Sequence, residues 1–221
     1  MDLNLIGSII ALAGGLIAFL YGLYRSMNGV GALYFRILTF AVGCFTLGRL
    51  YEILYTICFG ELTALVHLGQ LGTLTMSIFM MTASRGTLDY MLDDRRREMR
   101  KYRVIPIIFP VVFIGVGVCI HLVGNEDSAR HLIAGVIAIV MMITVYFEGK
   151  HLIFPDEGLE FAASMRITNA SALVFNFVAY AMLSAFIADT PVVYLMMGVI
   201  SAICSVTLII SADKGVKKWQ A

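Results

Sequence analysis

Arg49 and Glu52 stand three residues apart inside a long apolar run, so on a helix they share one face and can pair. An ionisable side chain in hydrocarbon costs a few kcal/mol and needs a partner or a water-filled cavity. His67 and Gln70 repeat the three-residue spacing in the next apolar run, and Asn176 and Tyr180 stand four apart in a later one. Counted from Arg36 at about 1.5 Å per residue, Arg49 sits about 20 Å and Glu52 about 24 Å along the helix. His67, Gln70 and Tyr180 fall at a comparable depth, Asn176 falls deeper, and Tyr51 and Tyr55 flank the charged pair. The chemistry these types support is recognition. An arginine fork matches a carboxylate or phosphate, and Glu52 orients it or meets a cationic group. His67 and Gln70 add hydrogen bonds, and His67 makes such a site pH-sensitive. The same residues also fit an internal Arg49–Glu52 salt bridge closed by Gln70 or a carbonyl, or a proton or ion path.

Covalent and metal chemistry have little footing. There is no GxSxG elbow, no GxxxxGK[ST] loop and no HxxxH or HExxH spacing. Haem in a bundle needs two axial histidines at matched depth, whereas His121 and His131 fall at or beyond the membrane edge. Neither a metal nor a cofactor is expected, and no catalytic residue is assigned. The acidic pairs Asp93-Asp94 and Asp156-Glu157 read as solvated, and Glu148 reads as an interfacial group snorkelling beside Lys150.

The elements that must position these groups follow from composition. Of 221 residues, 60% are hydrophobic and 14% charged, against roughly 45–50% and 25% in soluble domains. A soluble single domain and a disordered chain are both excluded. The apolar runs are unbroken, unlike the alternation of a membrane β-barrel. Seven are marked: about Leu5–Tyr24, Ile37–Phe59, Leu62–Ala83, Val104–Val123, Leu132–Phe147, Ile167–Ala188 and Val192–Ala212. The expected fold is therefore all-α, one domain over residues 1–221, a seven-transmembrane bundle. All but two of the 16 lysines and arginines lie in alternate connectors and the carboxyl tail; the exceptions are Arg49 and Arg130. By the positive-inside rule the amino terminus lies outside and the carboxyl terminus in the cytoplasm of a plasma or inner membrane.

The longest connector, Arg85 to Arg103, reads as a cytoplasmic helical extension with apolar residues at three- and four-residue steps. Its arginines Arg95, Arg96, Arg97 and Arg100 are candidates for a cytoplasmic partner. Acidic residues interrupt the basic run, which argues against nucleic acid, and a basic patch beside lipid contacts anionic headgroups. The first run carries a small-residue stripe (Gly7, Ala11, Gly14, Gly15, Ala18, Gly22), which lets another helix approach closely, from the same chain or a second copy. Cys58 and Cys119 fall near one side of the membrane, so a bridge between them is geometrically open.

The opening stretch resembles the amino-terminal seven-helix sensory module of bacterial histidine kinases. The resemblance is carried by Leu20-Tyr21-Gly22-Leu23-Tyr24-Arg25, by Arg36 to Glu52 with its late-helix glutamate, and by Val104-Ile105-Pro106, over roughly Ile10 to Val118. It implies a sensor or receptor-like subunit, but no kinase or other output domain follows. The expectation is a small polar or amphipathic ligand in the outer half, signalled to a cytoplasmic or membrane partner or a homodimer. The alternative expectation is a small secondary transporter or channel subunit with a polar route through the bundle.

Overall fold

The computed structural model describes residues 2–29, 32–60, 66–89, 93, 97–124, 128–154 and 160–220, with the backbone path alone for 87, 88, 128–131, 160–164, 219 and 220. These residues are helical and contain no strand. The elements are α1 (Leu3–Met27), α2 (Leu33–Phe59), α3 (Leu68–Ala83), α4 (Arg97–Val123), α5 (Ser128–Ile153), α6 (Glu160–Ile187) and α7 (Pro191–Gln220). Local signals set several boundaries. Asp2 caps α1 by accepting from the Asn4 amide. Gly60, at φ +85°, ends α2 in a conformation that disfavours side chains. Pro191 opens α7, where its missing N–H costs nothing. Among the described residues, all of these but α3 are long and apolar enough to cross a membrane, six helices. That is the architecture of a multi-pass membrane protein.

Two expected segments differ. The third run was placed from Leu62, but α3 begins at Leu68, residues 61–65 lie outside the described part, and the helix proper has 16 residues. The expected helical extension after it is described only in part, because residues 90–92 and 94–96 lie outside the described residues. Ser84–Asp89 is a wider, π-type turn, and Arg97–Ile107 is helical through short, partly tight turns. Prolines at 106 and 110 explain the irregular start of α4, since each removes an amide donor.

The helices alternate in direction. Ser8 near the start of α1 meets Glu52 near the end of α2 and Tyr194 near the start of α7. Arg25 near the end of α1 meets Asp213 near the end of α7. In the same way Gly69 at the start of α3 accepts from Arg49, Ser77 pairs with Thr144 of α5, and Phe186 at the end of α6 faces His67. Helices α1, α2, α3, α5, α6 and α7 follow one another around the bundle, and α4 lies against α5 and α6. The small stripe of α1 serves this packing. Gly7 lies on Tyr194 and Gly14 on Ala202 of α7, while Gly15 and Gly22 lie on Thr46 and Thr39 of α2. The core is aromatic and methionine-rich (Phe35, Phe45, Phe175, Met76, Met80, Met141), while Ile17, Leu47, Ile139 and Ile203 face outward. Cys58 and Cys119 are both free and exposed, so the bridge considered from the sequence does not form.

Candidate functional site

At the end of the bundle where α1 begins, four helices converge on Glu52. Arg49 Nη1 lies 2.8 Å from Glu52 Oε2 and donates to Tyr194 Oη at 3.0 Å. Its Nη2 donates to the Gly69 carbonyl at 3.2 Å and to Thr73 Oγ1 at 3.4 Å. Tyr194 and Ser8 both donate to Glu52 Oε2, at 3.1 and 3.4 Å. His67 Nδ1 stands 3.9 Å from Glu52 Oε1, and the His67 amide donates to Gln70 Oε1 at 3.3 Å. The Phe45 ring lies under the guanidinium, a favourable cation–π placement. Arg49 and Glu52 are almost wholly buried, as are His67 and Gln70.

The structure thus brings Arg49, Glu52, His67 and Gln70 together, and it adds Ser8, Thr73 and Tyr194. None of these three carried a sequence signal, because a serine, threonine or tyrosine in an apolar run is common and their partners lie in distant helices. Both terminal nitrogens of Arg49 already donate to the protein. An incoming anion must therefore compete with Glu52.

Asn176 and Tyr180 do not join this group. The Tyr180 ring stacks on Phe113 of α4 at 4.3 Å between centroids. Asn176 belongs to a second buried cluster. Its Nδ2 donates to Glu148 Oε1 and Oε2 at 2.9 and 3.1 Å and also contacts Met80 Sδ and the Ala172 carbonyl. Glu148 has no solvent exposure. The snorkelling assigned to it from its place near the end of an apolar run is wrong. The side chain turns inward to α6, and Tyr34 of α2 lies within electrostatic reach. Among the described residues no cation pairs with Glu148.

A third cluster closes the other end. Lys150 bridges Asp89 and Asp93, Arg103 makes a two-pronged pair with Asp93, and His151 Nε2 lies 3.3 Å from Asp89 Oδ1. Burial alone would raise the Asp89 carboxyl, but hydrogen bonds from His151 and Lys150 outweigh it and hold the group below its ordinary range. Asp93, expected to be solvated, has a side chain only 7% exposed; three-way pairing makes that burial tolerable. Of the candidate partner-binding arginines, Arg97 and Arg100 are exposed, and Arg95 and Arg96 lie outside the described residues, as does Asp94.

Buried polar residues on two helices lie between the three clusters. Thr73 and Ser77 lie one turn apart on α3, both fully buried. Ser77 Oγ meets Thr144 Oγ1 at 2.8 Å. Thr144, Glu148 and His151 then recur at four- and three-residue steps along one face of α5. The described residues contain no cluster of three or more histidine, cysteine or acidic side chains that could hold a metal.

No protein-family model, no curated protein and no solved structure matches the chain. Function must therefore be argued from the site.

Proposed function

We propose that this protein is a small membrane transporter or channel subunit in which protons or small ions move along a polar seam between α2, α3, α5 and α6. The observation that carries the reading is the buried succession Glu52, Arg49, Thr73, Ser77, Thr144, Glu148, Asn176 and His151, which ends on the half-buried Asp89. Polar groups in membrane helices are costly and concentrate on such pathways. The proposal includes a seventh crossing by α3 with the turn that follows it, the amino terminus outside, and a plasma or inner membrane. Purified chain in vesicles under imposed potassium and pH gradients is expected to pass ions or protons faster than empty vesicles. Thr144→Val should slow that flux at least tenfold. Flux equal to empty vesicles under every gradient rules the reading out.

A second reading, the ligand sensor, is supported by the ion pairs that tie the 85–103 connector to α5 through Lys150. In that reading Arg49, Glu52, His67 and Gln70 receive a small polar ligand, and Arg97 and Arg100 present the altered connector to a partner.

A further inference from the structure

Glu148 is the one buried acid among the described residues whose only polar partner is an amide. Glu52 has Arg49, Asp213 has Arg25 and Lys217, and Asp93 has Arg103 and Lys150. Asn176 instead directs its NH2 group to both Glu148 oxygens, while Asn176 Oδ1, itself buried, has no hydrogen-bond partner. A metal cation at this place would call for the amide oxygen, not the nitrogen, to face the carboxylate. The smallest counter-charge that the carboxyl can take in such surroundings is a proton.

His151 lies one turn beyond Glu148 on the same face of α5, its side chain fully buried. Its Nε2 is spent on Asp89, and its Nδ1 has no hydrogen-bond partner. Asp89 is half-buried and reaches the connector surface. On the facing helix, Asn169 continues the face of Asn176 two turns toward the same end, also with an unpartnered buried oxygen. The titratable and charged groups nearest Glu148 among the described residues are Tyr34 from α2, His151 and Lys150 from α5, and Arg85, Asp89 and Asp93 from the segment after α3. Among the described residues, the neutral groups Ser77 and Met80 of α3 and Asn169 and Asn176 of α6 are buried on this side of the bundle.

We propose that Glu148 is a proton-binding site inside the bundle, exchanging its proton with the arginine- and lysine-rich end through His151 and Asp89. The event is simple protonation: the Glu148 carboxylate gains the proton that the imidazole releases, and His151 is reprotonated from the Asp89 side. This deepens the transport reading by naming its solute, and it is testable without measuring transport.

The test is infrared difference spectroscopy on the full chain in phosphatidylcholine vesicles during pH titration and deuterium exchange. The wild type should show a titrating carboxyl carbonyl band that is absent from Glu148→Gln and moved, not lost, in Glu148→Asp. Asn176→Ala should shift the band by removing its amide partner. His151→Gln should keep the band but slow its deuterium shift tenfold or more. A Glu148→Gln spectrum that retains every titrating carboxyl band of the wild type overturns the site. Unchanged exchange in His151→Gln overturns the route. A Glu148 band without flux above empty vesicles removes the transport reading and leaves the proton site standing, and flux without the band does the reverse.

Discussion

At the scale of single residues, Arg49 and Glu52 show what a buried ion pair demands of its surroundings. Each charge is stripped of water, so every remaining donor and acceptor must find protein. Ser8, Gly69, Thr73 and Tyr194 meet most of that demand from three other helices, and Arg49 Nε is left buried without a hydrogen bond. The pair itself could be read from its three-residue spacing. Its supporting partners could not, since spacing within one helix says nothing about which helix lies opposite. Glu148 fails for the same reason. Near the end of an apolar run a long acid can turn either way, and only Asn176, 28 positions along the chain, decides that it turns in. The pair also makes a quantitative prediction. Removing one member leaves an unpaired buried charge, so Arg49→Met should lower stability by about 3–5 kcal/mol. The double variant Arg49→Met with Glu52→Met removes both charges and should recover most of that loss. Unfolding curves in a common detergent compare the three proteins. A double variant no more stable than the single one would show that the pair is not the element being disrupted.

At the scale of helices, the packing signal in α1 was legible and its partner was not. Small residues at three- and four-residue steps announce a close approach. They do not say whether a helix of the same chain or of a second copy supplies the facing surface. The structure divides the stripe. Gly7 and Gly14 receive α7, and Gly15 and Gly22 receive α2, so α1 is a wedge between two neighbours. The parts of the connector between α3 and α4 that the structure describes were less legible. Their apolar spacing suits a helix, but spacing alone does not show that Asp89 and Asp93 pair with Lys150 and Arg103. The α1 packing can be probed directly. A side chain at Gly14 would collide with the Ala202 backbone, whereas one at Gly115 of α4 meets open space. Gly14→Leu should therefore cost about 1–3 kcal/mol through overpacking. Gly115→Ala should be neutral or slightly stabilising, because alanine suits a helix interior better than glycine. Thermal unfolding of both variants beside the wild type separates the cases. Equal losses would place the cost in the glycine backbone, not in the contact with α7.

At the scale of the whole molecule, direction and charge have to agree. The helices alternate, so the start of α1 and the end of α7 lie at opposite ends of the bundle, a relation that the spacing of apolar runs already suggested. Arg25, Lys150, Arg103 and Lys217 gather at the end where α1 finishes. The other end holds the exposed Cys58 and no comparable basic cluster among the described residues. The retention of lysine and arginine on the cytoplasmic side is the physical rule that orients such a bundle. In the proposed orientation Cys58 lies outside and Lys218 inside. The chain carries its own reporter for this, because Cys58 sits one residue before the end of α2. With the other three native cysteines replaced by alanine, a membrane-impermeant thiol reagent should label Cys58 in intact cells. A cysteine at Lys218 in a fully cysteine-free background should react only after permeabilisation. Labelling of Lys218→Cys in intact cells, with Cys58 protected, would invert the orientation. The proton site would then face the exterior instead of the cytoplasm, because Glu148, His151 and Asp89 lie toward the same end as Lys218.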